Sequence, residues 1–165
     1  MARLHRAFNV KYEGVVNTLV TPVLIRASKQ LYGESGGRQF TAVWDTGATH
    51  SCISHAVAKI LKLPISGKRP IKGVNSEGVA PTYFVDLLLP SQVTIAAVEV
   101  AAVDVSGCDI LIGMDVISLG DLTICNHGGT EFSFSIPAHE HKFDLVERSD
   151  KVNKRLLKGA VKKPR

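Results

Sequence analysis

The sequence predicts an all-β protein, and two of its features lead to that prediction. Val, Ile and Thr are frequent, and 14 glycines and seven prolines punctuate the chain, a composition that favours strands joined by tight turns. The apolar runs are short and end at Gly, Pro, Asn or Asp, as strands do. With 165 residues, the chain can form one domain with a sizeable core but not two large lobes.

The first half of the chain alternates between strand patterns and turn signals. A strand is predicted in GVVNTLVTPVLIRA (residues 14–27), where Pro22 indicates an edge position or a bend. After the turn GESGG, a second strand is predicted in RQFTAVWD, which ends at Asp45. The one short helix of the body is predicted in SHAVAKILKLP, with Ser54 as its N-cap and Pro64 as its stop.

The second half continues with strand patterns. Two strands around an Asn-Ser-Glu-Gly turn are predicted in IKGVNSEGVAPTYFVDLLLP (71–90), which makes this segment a hairpin. One long strand is predicted in VTIAAVEVAAVDV (93–105). A buried run, CDILIGMDVISLGDLTI, reaches Gly113 and continues into a short turn or helix, and TEFSFSIP closes the body at Pro137.

Three segments differ in charge and pattern. Residues 1–13 resemble a polar leader, residues 14–137 carry the strand patterns, and residues 138–165 form a basic tail. The formal net charge of +5 comes entirely from the tail, because residues 1–137 contain eleven Lys or Arg and eleven Asp or Glu. The tail shows no sustained apolar face, so we expect a partly helical or disordered extension.

Composition also bounds the partners and the compartment. A basic tail can bind nucleic acid or an acidic membrane surface, but we expect a solvated extension that binds neither. No aromatic residue lies among the lysines from Lys151 to Lys163, so no base-stacking surface is visible. No apolar run approaches the roughly 20 residues of a membrane span, and the N-terminus lacks an apolar signal core. The odd number of cysteines (Cys52, Cys108 and Cys125) fits reduced thiols used in packing. We therefore expect a cytoplasmic protein.

The stretch AVWDTGATHSCIS (42–54) places a single carboxylate, Asp45, directly after three apolar or aromatic residues. A carboxylate at the end of a buried run is unfavourable unless something binds it or uses it. Here the strand presents Asp45 at a loop, Thr46 can hydrogen-bond at the base of a site, and Gly47 lets backbone or substrate approach closely. The arrangement is what aspartic-protease chemistry needs.

A second motif, DILIGMD, lies about 65 residues downstream and has two bulky aliphatic residues before Gly113. Together with VWDTGATHSCIS and the glycine-bearing hairpin between them, it resembles the retropepsin-like family, the single-lobe aspartic proteases of retroviruses, retrotransposons and some bacterial proteins. The resemblance covers roughly residues 14–137. It implies a small closed β-barrel with one short helix and a flap hairpin at residues 71–84, a peptide or protein substrate, and no metal or cofactor.

The resemblance also implies roles for individual residues. The catalytic loop would consist of Asp45, Thr46 and Gly47. The residues packed beside this loop would be Leu111, Ile112 and Gly113. The substrate-binding residues would be Ala48 and the flap residues Gly73, Val74, Asn75, Ser76, Glu77 and Gly78. Because the mechanism needs two carboxylates that share one proton and this chain supplies one, we expect a homodimer in which one Asp45 acts as base and its mate as acid.

Two positions depart from the retroviral pattern. Thr49 and Met114 stand where retroviral enzymes carry an Asp and an Arg that pair with each other. Both partners are missing together, so the resemblance is nearer to bacterial or retrotransposon members. We expect Asp115 to cap the short helix that follows.

Other interpretations compete with the protease. A zinc site could be built from His50, Cys52 and His55 with Cys125 and His127, although no Cys-x-x-Cys pair or repeated spacing supports it. From a different class, a non-catalytic retropepsin-like module could bind peptides or hold an assembly together without cleavage. We interpret Trp44 as a core or interface aromatic residue and Tyr83 as strand packing.

Overall fold

The computed structural model describes residues 4–72, 77–105, 107–139 and 144–160. The strands in these residues are β1 Arg6–Lys11, β2 Leu19–Ala27, β3 Arg38–Trp44, β4 Cys52–Ser54, β5 Gly67–Lys72, β6 Glu77–Leu88, β7 Thr94–Val103, β8 Ile110–Ile112, β9 Asp121–Cys125 and β10 Glu131–Ile136. The helices are α1 Lys29–Tyr32, α2 His55–Ile60, α3 Met114–Ile117 and α4 Leu145–Ala160. No helix among these residues is both long and apolar enough to cross a membrane.

Six strands close into a β-barrel in the order β2, β3, β8, β4, β7 and β6. The barrel closes because β6 pairs back onto β2, with Leu24 opposite Leu88 and Ala27 opposite Val85. Strand β5 continues the sheet beyond β6 as the second arm of a hairpin. The prediction of an all-β protein with a small closed barrel is thus confirmed.

The barrel core follows from the two-residue period of its strands. In β2, Val23, Ile25 and Ala27 are buried and the alternate Leu24 is exposed, as expected for a strand with one face towards a core. Pro22 lies opposite Thr41 of β3, in the part of β2 that β6 does not reach. This part of β2 is an edge, where the missing N–H of proline is tolerated, as the sequence predicted.

A second sheet, in the order β1, β10, β9, covers one side of the barrel. Its aromatic side chains Phe8, Phe132 and Phe134 are buried and surround Trp44, with the Phe134 ring centroid 4.8 Å from that of Trp44. The indole Nε1–H of Trp44 donates to Thr21 Oγ1 at 3.0 Å. Trp44 is therefore a core residue, and the strand before Asp45 is fixed by buried aromatic packing.

The predicted polar leader, residues 1–13, differs from the structure. Residues 6–11 form β1, which pairs antiparallel with β10 along its whole length. The physical reason is Phe8, which is buried against the aromatic cluster. The folded unit therefore includes residues before 14.

The helices agree in part with the sequence. Helix α2 starts after Ser54, whose Oγ accepts from Val57 N–H at 3.2 Å, so the N-cap prediction is confirmed. The short turn or helix predicted after Gly113 is α3, and α1 is a further single-turn helix that the sequence did not indicate. Helix α1 depends on a distant residue: Lys29 N–H at its start donates to Asp86 Oδ2 at 3.1 Å.

Asp86 is a buried carboxylate that joins three elements. It accepts hydrogen bonds from Lys29 N–H, from Arg26 Nε and from Ala97 N–H, each at 3.1 Å, and it lies at an irregularity in the pairing of β6 with β7. Burial alone would raise the pKa of Asp86, but the two backbone N–H groups and the Arg26 guanidinium lower this pKa overall. The charged form therefore stabilises the fold.

We expect Asp86→Asn to lower the free energy of unfolding at neutral pH by about 2 kcal/mol, because the charged acceptor of these hydrogen bonds is lost. Since the folded pKa lies below the unfolded value near 4, the wild-type contribution is complete above about pH 4 and is lost as the pH falls through the folded pKa. Urea unfolding at neutral and acidic pH measures this difference.

The matched control is Asp104→Asn, because Asp104 is fully exposed. This variant should unfold like the wild type at both pH values. An Asp86→Asn penalty that does not shrink in acid would contradict the assignment.

Candidate active site

The site is built where β8 lies between two strands that are consecutive in the chain. β3 pairs parallel with β8, with Val43 opposite Leu111 and Trp44 opposite Ile112. β4 pairs antiparallel with the other edge of β8, with Cys52 opposite Leu111. The loop of residues 45–51, which joins β3 to β4, therefore passes over the end of β8. The two sequence motifs meet in this arrangement.

Asp45 lies at the end of β3, at the start of this loop. Its N–H donates to Ile112 O at 2.9 Å, which fixes its backbone to β8. Its Oδ1 accepts from Gly47 N–H at 2.8 Å, and its side chain is half-buried. Among the residues the structure describes, its Oδ2 has no hydrogen-bond partner, so this oxygen is available to a ligand or to a second chain.

The remaining residues of the motif follow Asp45 closely. Thr46 and Gly47 are exposed, and Ala48 is half-buried. A side chain at position 47 would stand 3.1 Å from Asp45 Oδ1, so glycine keeps that carboxylate oxygen accessible. The hydroxyl of Thr46 makes no hydrogen bond within the described ranges. In the single chain, the polar side chains of the motif face outwards.

A buried network holds the loop onto α3. Ser51 is fully buried, and its Oγ accepts from Gly113 N–H at 3.0 Å and donates to Asp115 Oδ1 at 2.7 Å. The backbone N–H of Ser51 also donates to the Asp115 carboxylate at 2.9–3.0 Å. Charge-assisted hydrogen bonds of this kind are stronger than neutral ones. Ser51 and Asp115 therefore fix the far end of the Asp45 loop.

Backbone contacts take the place of the side-chain pair that is absent here. Met114 N–H donates to Ala48 O at 2.8 Å, and Asp115 N–H donates to Thr49 O at 3.2 Å. The prediction that Asp115 caps α3 is wrong, because the N-cap position belongs to Gly113. Asp115 lies in the first turn, where it accepts from Val116 N–H at 3.0 Å while it binds Ser51. No sequence pattern singles out Ser51, because its partner lies 64 positions away.

Gly113 is in contact with the backbone of the Asp45 loop. A Cβ at this position would lie 2.7 Å from the carbonyl carbon of His50 and 2.9 Å from Ala48 O. Leu111 is half-buried and Ile112 fully buried beside it. The structure thus brings the predicted supporting residues Leu111, Ile112 and Gly113 to the loop that carries Asp45.

The described part of the segment predicted as a flap, residues 71–84, belongs to the hairpin of β5 and β6. Gly73, Val74, Asn75 and Ser76 lie outside the described residues. In the paired part, Glu77 is opposite Lys72, and Gly78, which is exposed, is opposite Ile71.

At the base of the hairpin, Arg69 of β5 forms an ion pair with Glu99 of β7. An open cavity of about 280 Å³ adjoins this pair and reaches His50 and Asp115. A larger open cavity of about 1050 Å³ lies between Arg6, Leu89 and Ile136. Because neither Asp45 nor any other residue of its loop lines the larger cavity, it has no part in the site.

The alternative metal site does not form in the structure. Within the described ranges, His50, Cys52, His55, Cys125 and His127 are not part of any group of three or more His, Cys, Asp or Glu side chains that could hold a metal ion. Burial is the main cause that raises the pKa of the Cys52 thiol to about 11. In the metal-free protein this thiol is therefore protonated at neutral pH.

The chain is similar to several solved structures. A retropepsin-like aspartic protease from Rickettsia conorii matches with a TM-score of 0.53 and 10% identity, over 82% of this chain and 98% of that chain. The foamy viral protease-reverse transcriptase in complex with an RNA/DNA hybrid matches with a TM-score of 0.44 and 22% identity, over 61% of this chain and 11% of that chain. The simian foamy virus protease matches with a TM-score of 0.41 and 21% identity, over 59% of this chain and 89% of that chain.

The fold and the Asp45 loop define a retropepsin-like β-barrel. The sequence profile described as "gag-polyprotein putative aspartyl protease" matches residues 32–118, which is 87 of the 165 residues and includes both motifs. The chain therefore belongs to this family of aspartyl proteases. The comparison with curated proteins gives no match.

Proposed function

We propose that the chain is an aspartic endopeptidase whose active site forms from the Asp45 residues of two copies. The observation that carries the proposal is the position of Asp45. Its backbone is fixed by Ile112 and one carboxylate oxygen by Gly47, while the other oxygen is free of hydrogen bonds in the described chain. A carboxylate held in this way has a fixed orientation, and its second oxygen is available to react.

The proposed mechanism needs both copies. Two carboxylates about 3 Å apart cannot both ionise easily, so a dyad holds one shared proton, as is documented for aspartic proteases themselves. The ionised Asp45 takes a proton from water, and the protonated Asp45 of the other copy polarises the scissile carbonyl. The exposed Thr46 hydroxyl, with no partner inside the described chain, is placed to hydrogen-bond a second copy.

The proposed substrate is an extended peptide between the Asp45 loops and the flap. Ala48 of the Asp45 loop and residues 73–78 are the proposed substrate-binding positions, and the ion pair between Arg69 and Glu99 anchors the hairpin of β5 and β6. The retropepsin-like aspartic protease from Rickettsia conorii shares the fold on which this proposal rests. We also propose, as the sequence suggested, that the protein acts in the cytoplasm.

The test is cleavage of a mixed peptide library by the purified chain, followed by mass spectrometry. We expect discrete cleavage sites in mildly acidic solution, because one carboxylate of the dyad must hold a proton. A statine-type transition-state mimic should block cleavage, and a metal chelator should have no effect. No cleavage at any pH, together with binding of the same peptides, would instead identify a non-catalytic peptide-binding module.

The tail should be dispensable for peptide cleavage, but the boundary must lie after His139. The sequence placed it at residue 137, whereas His139 N–H and Nδ1 contact Asp121 Oδ2 at 2.7 and 2.8 Å. A chain that ends at His139 should keep its turnover of a short peptide within about threefold at saturating enzyme. The matched control ends at Pro137. A large loss of turnover in the chain that ends at His139, together with a lower mass in sedimentation velocity, would assign the tail to the dimer interface.

A further inference from the structure

The C-terminal helix α4 carries an apolar face that nothing in the described chain covers. At 100° per residue, five large apolar side chains fall within an arc of about 140°. These side chains are Leu145, Val146, Val152, Leu156 and Leu157, and each is between 47% and 72% exposed. The sequence indicates no sustained apolar face in the tail, whereas the helical period gathers these five residues on one side, with the small polar residues Ser149 and Asn153 between them.

The opposite face of α4 is basic. Its cationic residues are Arg148, Lys151, Lys154, Arg155 and Lys158, which follow one another along the whole helix. Glu147 and Asp150 are the acidic residues of the helix, and Glu147 forms an ion pair with Lys151 at 2.5 Å. The sequence after the helix adds Lys162, Lys163 and Arg165. Positive charge therefore dominates the side of the helix opposite the exposed apolar residues.

Self-association through this face is disfavoured by the sequence of α4. A coiled coil needs apolar positions at alternating spacings of three and four over at least three heptads, and α4 has 16 residues. A coiled-coil seam through Leu145, Val152 and Leu156 needs one more apolar residue between the first two. That position falls on Arg148 or Ser149, and both are polar. A single-stranded nucleic acid is disfavoured too, because α4 contains no aromatic residue on which a base could stack.

We propose that α4 is a docking surface for an anionic lipid membrane. An amphipathic helix with a basic polar face and leucines on the other face lies in the plane of the bilayer surface, with its apolar side chains among the acyl chains and its cations at anionic headgroups. Both requirements are met by exposed side chains of α4. The proposal is independent of the Asp45 chemistry and would stand if the chain cleaved nothing.

The experiment is co-sedimentation of the full chain with vesicles of phosphatidylcholine alone or of phosphatidylcholine mixed with phosphatidylserine, at low and high salt. We expect binding to the mixed vesicles that weakens with salt, and little binding to phosphatidylcholine. Val152→Gln with Leu156→Gln, and separately Lys154→Gln with Lys158→Gln, should each weaken binding by at least about tenfold. Glutamine is a good helix former, and circular dichroism checks that the helix is kept.

The matched control is Val15→Gln, because Val15 is 69% exposed and lies outside the helix. This variant should bind like the wild type. Absence of binding to the mixed vesicles overturns the proposal. Unchanged binding after the two apolar substitutions overturns it as well, since charge alone would then be responsible.

Two further measurements test the other ligands that α4 could bind, a nucleic acid and a second copy of the chain. Binding of a single-stranded RNA oligonucleotide that needs the lysines but not Val152 and Leu156, without vesicle binding, would assign the helix to nucleic acid. A lower mass of the apolar double variant in sedimentation velocity, without vesicle binding, would assign the face to a second copy. Either result overturns the membrane proposal.

Discussion

Asp45→Asn should reduce peptide cleavage by at least about a thousandfold while the protein stays folded. The amide keeps the shape of the carboxylate and can still accept from Gly47 N–H, but a pair of amides can neither take a proton from water nor give one to the carbonyl. The fold should survive because the side chain is half-buried and its only hydrogen bond within the described residues is the one to Gly47. Peptide turnover and thermal unfolding measure the two effects separately.

Mixtures of wild-type and Asp45→Asn chains give a sharper test of the two-chain site. If subunits exchange fully and nearly all protein is dimeric, random pairing makes the active fraction the square of the wild-type fraction. An equal mixture should then keep about a quarter of the activity, whereas independent chains would keep about half. Asp104→Asn is the matched control, because this exposed residue lies outside the site. Mixing it with wild type should leave activity unchanged, and a linear fall with Asp45→Asn would refute the shared dyad.

The barrel could be predicted because the pattern of its strands is visible in the local sequence. In β2 the buried residues alternate with less buried ones, and a two-residue period is visible without knowledge of the partner strand. Asp45 could be predicted for a similar reason, since a carboxylate after an apolar strand is conspicuous in any context. The burial of Trp44, the residue before it, bears out this interpretation of the strand.

The parts that the sequence did not reveal depend on distant contacts. Strand β1 is short and half of its residues are polar, and it is a strand because β10, more than a hundred residues away, pairs with it. Helix α1 begins where Asp86 accepts a hydrogen bond from Lys29 N–H. The sequence around Lys29 contains no sign of this distant carboxylate. Ser51 looks like any loop serine until the fold brings Asp115 and Gly113 to it.

Gly113→Ala should damage both the stability and the activity of the protein. The added methyl group would lie within 3 Å of backbone atoms of Ala48 and His50, and backbone atoms have no rotamer to change. The loop cannot simply retreat, since Ala48 O accepts from Met114 N–H at 2.8 Å and Ser51 Oγ accepts from Gly113 N–H at 3.0 Å. We expect a loss of about 3 kcal/mol in the free energy of unfolding, at the upper end for overpacking.

Activity should fall further than stability explains, because the same displacement moves the Asp45 loop. A shift of about 1 Å in a catalytic group can lower the rate by about a hundredfold, so kcat/KM should fall by that order at a temperature where the variant is fully folded. Gly36→Ala is the matched control: Gly36 is exposed, and a Cβ there meets nothing within 4 Å, so this variant should match the wild type. Wild-type kcat/KM in a folded Gly113→Ala variant would show that α3 does not position the loop, and Asp45 would then be held by β3 and β8 alone.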